Sequence, residues 1–130
     1  MTATTASDAV VLDSSIWLEY LTDDSKADLV VPYLEEQITV LVPVLVVYEV
    51  RKMLLTRRSK TLGDIFISEV FKRVIVPLEE MLALKAADLS VIHKLAMADS
   101  IIYATALSHS APLITFDAHF ADLPGVTILS

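Results

Sequence analysis

Four acids in this sequence stand where a hydrolytic site could be built: Asp13, Glu49, Asp99 and Asp117. Three fall at strand or helix ends, and Glu49 falls on a helix. Each also has an ordinary structural role. Asp at a helix start caps free N–H groups, Asp after a strand belongs to a turn, and Glu at the edge of an apolar stripe reaches water along its stem. As a set they carry a different consequence. Two unit charges about 4 Å apart repel by roughly 4 kcal/mol at an effective dielectric near 20, so converging carboxylates need protons or cations. With oxygen donors, no Cys and no clustered His, Mg2+ or Mn2+ suits the set better than Zn2+. Such a centre activates water and stabilises charge on a phosphodiester during in-line displacement. Phosphate chemistry is therefore the expectation.

The elements that must position these acids follow from hydrophobic periodicity. Ala9 to Leu12 is an apolar, β-branched run ending in Asp13, and Ile16, Trp17, Tyr20 and Leu21 then take helical spacing. Asp13 thus closes a strand, beside Ser14 and Ser15, which could cap the helix themselves. A second helix is expected from Ser25 to Gln37, kinked or reset at Pro32. Thr39 to Val42 reads as a strand. Past Pro43 a helix carries Leu45, Val46, Glu49, Met53 and Leu54, which puts Glu49 on the face turned toward the core. Leu62 to Arg73 reads as a helix and Val74 to Val76 as a strand stopped by Pro77. Glu79 to Leu95 is a helix expected to bury Leu82, Ala86, Leu89 and Ile92. Asp99 opens the next helix, Pro112 breaks it, and the run Leu113 to Phe116 is closed by Asp117. Gly125 to Leu129 is the last strand. This alternation predicts an α/β fold, a parallel sheet wrapped by helices. Strand carboxyl ends are where ligands gather in such sheets, so Asp99 and Asp117 would share one rim.

At 130 residues and 55% hydrophobic content the chain is expected to form one domain over residues 8–130. Residues 1–7 read as a disordered tail without the features of a secretory signal. The longest apolar run, Val40 to Tyr48, is interrupted by Pro43 and is far short of the roughly 20 residues a membrane helix needs. No membrane segment is expected, and without Cys the cytoplasm is the default compartment. Ten basic against 17 acidic residues give a net charge of −7, which argues against nucleic-acid binding by bulk electrostatics. Locally the balance reverses. Arg51, Lys52, Arg57, Arg58 and Lys60 form an acid-free positive window, either a solvated helix end or a phosphate track. Only two glycines and a high apolar content suggest helices with surface left over for another chain.

Val-Leu-Asp13-Ser-Ser, Tyr48-Glu49, Asp99-Ser-Ile-Ile-Tyr-Ala-Thr-Ala-Leu and Leu-Ile-Thr115-Phe-Asp117-Ala-His-Phe resemble, in order and spacing, the motifs of PIN-domain ribonucleases. The resemblance is strongest to small VapC-type toxins of toxin–antitoxin pairs and runs from Val10 to Leu129. It implies a three-layer α/β/α sandwich and a Mg2+- or Mn2+-dependent endoribonuclease. It also implies Asp13, Glu49, Asp99 and Asp117 as catalytic and metal-site residues, with Thr115 and Ser14 in support. A homodimer and a cognate antitoxin covering the groove are further implications, and RNA is the implied substrate, with Arg51, Arg57 and Arg58 as candidate contacts. Phe116 departs from the pattern, because many relatives carry a polar or basic residue there. Two other functions compete. A PIN-fold binding or scaffold protein would use the acids only to hold metal or cap helices. An aspartyl phosphotransferase would use Asp13 as nucleophile, but enzymes of the haloacid-dehalogenase type carry a second Asp where this chain has Ser15. His93, His109 and His119 are expected to be surface or core histidines, Trp17 and Tyr20 core or interface, and Asp122 a turn residue.

Overall fold

The computed structural model describes residues 8–35 and 37–130, so the expected tail at 1–7 lies outside the described residues. Among the described residues five short strands form one sheet: β1 (Ala9–Leu12), β2 (Thr39–Pro43), β3 (Val74–Val76), β4 (Leu113–Thr115) and β5 (Val126–Ile128). Their order is β3-β2-β1-β4-β5 and every pairing is parallel. Among the described residues six α-helices surround it: α1 (Ser14–Leu21), α2 (Ala27–Glu35), α3 (Val44–Arg57), α4 (Lys60–Val70), α5 (Glu80–His93) and α6 (Met97–Ser108). This is the three-layer α/β/α arrangement that the resemblance implies.

The strand order fixes which helices share a layer. From β1 to β2 to β3 the chain steps in one direction, then crosses back to β4 and β5 on the far side of β1. Right-handed crossovers therefore put α1 to α4 on one face and α5 and α6 on the other. Most contacts between helices follow this division, with α1 against α2 and α3, α3 against α4, and α5 against α6, while α3 also meets α6 across it. The first layer buries Trp17, Val30, Val46, Val50, Leu54, Phe66 and Val70 against the sheet. Trp17 and Phe66 meet edge to face at 5.5 Å between ring centroids. The second layer is built on α6, in which Ser100 through Ala106 are all buried.

Several boundaries moved for identifiable reasons. Lys60 starts α4 two residues early because the Ser59 hydroxyl caps it, accepting from the Leu62 N–H at 3.1 Å. Helix α2 runs through Pro32 rather than resetting there. Ile92 is a correction: it is 68% exposed. The inward stripe of α5 runs Leu82, Ala86, Leu89 and then His93, whose ring meets Tyr103 at 6.0 Å. Steps of four, three and four residues keep that stripe in line, and Ile92 falls off it. With Met81, Leu84, Val91 and Met97 it leaves an exposed apolar side on this helical layer.

Candidate active site

The neighbours of β1 are reached by crossovers in opposite directions, so the crevice between the carboxyl ends of β1 and β4 is the topological switch point. In the β1–β4 register Val11 faces Leu113 and Leu12 faces Ile114. One step further brings Asp13 opposite Thr115, and the Thr115 hydroxyl donates to Asp13 Oδ2. The other oxygen, Oδ1, accepts from the Ser15 N–H at 3.0 Å, the Ser15 hydroxyl at 2.6 Å and the Ile16 N–H at 3.3 Å. Asp13 is thus the N-cap of α1 and a groove residue at once. Burial raises its pKa, and the hydrogen bonds from Ser15 and Thr115 oppose that rise.

The same two hydroxyls organise the far side of the groove. Thr115 Oγ1 accepts from the Asp117 N–H at 2.8 Å, and Ser15 Oγ accepts from the Phe116 N–H at 3.0 Å. Asp117 begins a short 3-10 turn, Ala118–Phe120, and its Oδ1 accepts from the His119 N–H at 2.9 Å. Glu49 reaches the groove from α3, where it sits at the edge of the buried stripe rather than within it, and accepts from the Ser14 hydroxyl at 2.6 Å. The core-facing and solvent-reaching alternatives for Glu49 meet in this half-buried position.

Asp99 is the exception. Helix α6 starts at Met97 with Ala96 as N-cap, so Asp99 lies in the first turn and caps nothing. Among the described residues no group donates a hydrogen bond to its carboxylate, whose pKa is raised by burial first and then by Asp117, Glu49 and Asp13. All four acids line one cavity of about 190 Å³, with Ser14 and Ser15 at its edge and Leu18, Met53 and Ile102 as apolar walls. A larger cavity of about 470 Å³, among Val76, Met81, Lys85 and His109, contains none of the expected site residues. Size is not the guide here.

The donor set suits a hard divalent cation. Carboxylate oxygens of Asp99 and Asp117 and a ring nitrogen of His119 lie within 4.8 Å of one another. Oxygen-rich sites of this kind take Mg2+ or Mn2+. His119 is exposed, as expected of a surface histidine, yet its Nδ1 is 3.0 Å from Asp117 Oδ1 and it stands in this cluster. Its place two residues after a site acid was the available signal. Ser15 is a second site residue beyond the sequence expectation: its bond to Phe116 spans 101 residues, and no local pattern announces it. Of the candidate RNA contacts, Arg57 and Arg58 line a groove that continues from the acid cavity past Ser15, Leu18 and Met53. Arg51 is instead paired with Asp64 at 2.9 Å. The Phe116 ring carries the Lys26 ammonium 5.8 Å from its centroid.

A parallel α/β sandwich with carboxylates gathered at its switch point defines a class, the acid-centred PIN folds. The PIN domain model matches residues 10–126, and the chain belongs to that family. Among curated proteins none matches by sequence. Solved structures of similar fold include a toxin–antitoxin complex from Klebsiella pneumoniae, 22% identical with a TM-score of 0.76 over 91% of this chain and 95% of that one. VapC20 of Mycobacterium tuberculosis, described as a toxin that cleaves the sarcin–ricin loop, is 14% identical with a TM-score of 0.75, covering 93% and 99%. FitAcB from Neisseria gonorrhoeae is 21% identical with a TM-score of 0.68, covering 93% and 96%.

Proposed function

We propose that the protein is a metal-dependent endoribonuclease, the toxin of a toxin–antitoxin pair, which hydrolyses RNA phosphodiesters at the Asp13, Glu49, Asp99 and Asp117 groove. The observation that carries this is Asp99: a half-buried carboxylate without a donor among the described residues, facing three other acids. A protein gains nothing in stability from such an arrangement, so its retention calls for a cation. Asp99 and Asp117 would hold Mg2+ or Mn2+ directly, with Asp13 and Glu49 completing the negative field. A bound divalent ion supplies Lewis acidity and a water of lowered pKa.

The chain's own residues orient the rest. Ser15 and Thr115 hold Asp13 in one rotamer, and Ser14 turns Glu49 into the groove. The Thr115 hydroxyl fixes the backbone at Asp117. Arg57 and Arg58 offer charge to the phosphates of a bound strand. Membership of the PIN family and the toxin–antitoxin assemblies among similar folds support both the nuclease chemistry and an antitoxin partner. The exposed apolar side of α5 supports a homodimer. No described helix is long and apolar enough to cross a membrane, and we place the activity in the cytoplasm.

The test is incubation of the purified protein with structured RNAs and Mg2+ or Mn2+, beside Asp99→Asn. Cleavage by the wild type and its loss in the variant are expected. Equal cleavage by both proteins, or none by the wild type with either metal, would overturn the assignment.

A further inference from the structure

Tyr48 and Phe116 each stand directly before a groove acid, Glu49 and Asp117, and each carries a lysine over its ring. Lys52 Nζ lies 5.5 Å from the Tyr48 centroid, and Lys26 Nζ lies 5.8 Å from that of Phe116. The two pairs arise differently. Lys52 follows Tyr48 by one turn of α3, whereas Lys26 reaches Phe116 from the turn between α1 and α2. Neither lines the acid cavity itself: Tyr48 lines the adjoining groove that shares Glu49 and Met53 with it, and the Phe116 backbone N–H is bonded to Ser15 at its edge.

Among the described residues four of the ten lysines and arginines are ion-paired, and Lys26 and Lys52 are, with Arg57, Arg58, Lys85 and Lys94, among the six that are not. Arg51 and Lys60 are held by Asp64, and Lys72 and Arg73 by Glu69. Among the described residues neither Lys26 nor Lys52 has a carboxylate partner, although the densest cluster of carboxylates in the fold is nearby. An ammonium placed inside that cluster would be captured as a counter-ion and would compete with a divalent cation. A ring face attracts the ammonium through its quadrupole but leaves the full positive charge, and most of its N–H donors, available. The aromatic residue beside each acid therefore works as a spacer that keeps a cation close and uncommitted.

We propose that Lys26 and Lys52, each held over its ring, bind the backbone phosphates on either side of the phosphate that meets the acids. The strand then runs from the α1–α2 turn, past Asp117 and Asp99, to the Tyr48 end of α3. This rests on the RNA-cleaving role given above. It also explains how a chain of net charge −7 admits a polyanion: the charge is overcome at a few fixed points, these two lysines beside Arg57 and Arg58, rather than by the surface as a whole.

The test measures binding of a dye-labelled single-stranded RNA by fluorescence anisotropy across a salt series. The Asp99→Asn background in Mn2+ limits cleavage during the measurement. Each phosphate contact to a single strand contributes about 0.7 to the slope of log K against log salt. Lys26→Ala and Lys52→Ala should each lower the slope by about that amount and weaken binding about 5-fold at about 0.1 M salt, across RNA sequences. Lys85→Ala, on the other helical layer, should change neither. Phe116→Leu keeps an apolar side chain but loses the ring, so it should give part of the Lys26→Ala loss. The double variant Lys26→Ala/Phe116→Leu should be no worse than Lys26→Ala alone. Unchanged slopes in both lysine variants, while the wild type cuts RNA, overturn this inference and leave the nuclease intact. A Phe116→Leu loss that adds fully to Lys26→Ala, without a change in slope, assigns the ring to base stacking and overturns it too. A wild type that neither binds nor cuts RNA removes both proposals together.

Discussion

Replacing Asp99 by Asn tests the groove through stability instead of turnover. A carboxylate oxygen of Asp99 and one of Asp117 lie within 4.8 Å. Two full charges at that separation repel by about 3.5 kcal/mol at an effective dielectric of 20 and by about 0.9 kcal/mol in bulk water. Both side chains are half-buried, so about 1.5–2 kcal/mol applies at neutral pH in metal-free solution, with smaller additions from Glu49 and Asp13. Against this stands a negative charge removed from the first turn of α6, about 0.3–1 kcal/mol. The variant should therefore be more stable by about 1 kcal/mol, or about 3–6 °C in Tm.

The pH dependence has a definite sign. Burial and the neighbouring acids raise the Asp99 pKa in the folded chain above its unfolded value. As pH climbs from about 4, the unfolded chain releases this proton before the folded chain does, and the wild type loses stability through that window. Asn has no proton to release. The gap between variant and wild type should be near zero at about pH 3, widen as pH rises and level off above the folded pKa. Thermal melts in EDTA from acid to neutral pH measure the gap, and repeating them with millimolar Mn2+ completes the assay. Mn2+ should raise the wild-type Tm and raise that of the variant far less. A variant that melts no higher than wild type in EDTA at neutral pH, or that gains as much from Mn2+, would refute the reasoning.

Other expectations concern the scaffold. Thr115→Val leaves Asp13 Oδ2 and the Asp117 N–H each short of a buried partner, and should cost about 1–3 kcal/mol in urea denaturation while weakening Mn2+ binding by calorimetry. Trp17→Phe should cost less than about 1.5 kcal/mol, against about 3–5 kcal/mol for Trp17→Ala. The Trp17 Nε1–H is buried without a partner among the described residues, so Phe gives up no hydrogen bond and keeps an edge for Phe66.

The alternation of strands and helices was readable because each element carries its own period, and the four acids were readable because the breaks between periods isolate them. Asp13, Glu49, Asp99 and Asp117 do meet in one cavity. What local pattern could not convey is contact between distant segments. Nothing near Ser15 tells that it faces Phe116, and nothing near Lys26 tells that it lies over an aromatic ring. Ile92 misled for a smaller reason: α5 is apolar on more than one side, so its composition did not distinguish the stripe ending in His93 from the exposed one. The capping roles weighed for the acids proved compatible with the site for Asp13 and Asp117, and inapplicable to Asp99.

The bond between Thr115 and Asp13 joins residues 102 apart in the chain. Asp99, Thr115 and Asp117 all lie in the last third of the sequence, and β4 must slot beside β1 before the cavity closes. During synthesis, which proceeds from the N-terminus, the first three strands can be made and still lack half of the carboxylates and the strand that aligns them. A chain still emerging from the ribosome then has no assembled acid groove. The groove is completed only when the segment from Asp99 to Asp117 has been made and β4 has paired with β1, so an interrupted product lacks both the second pair of acids and the strand that aligns the first.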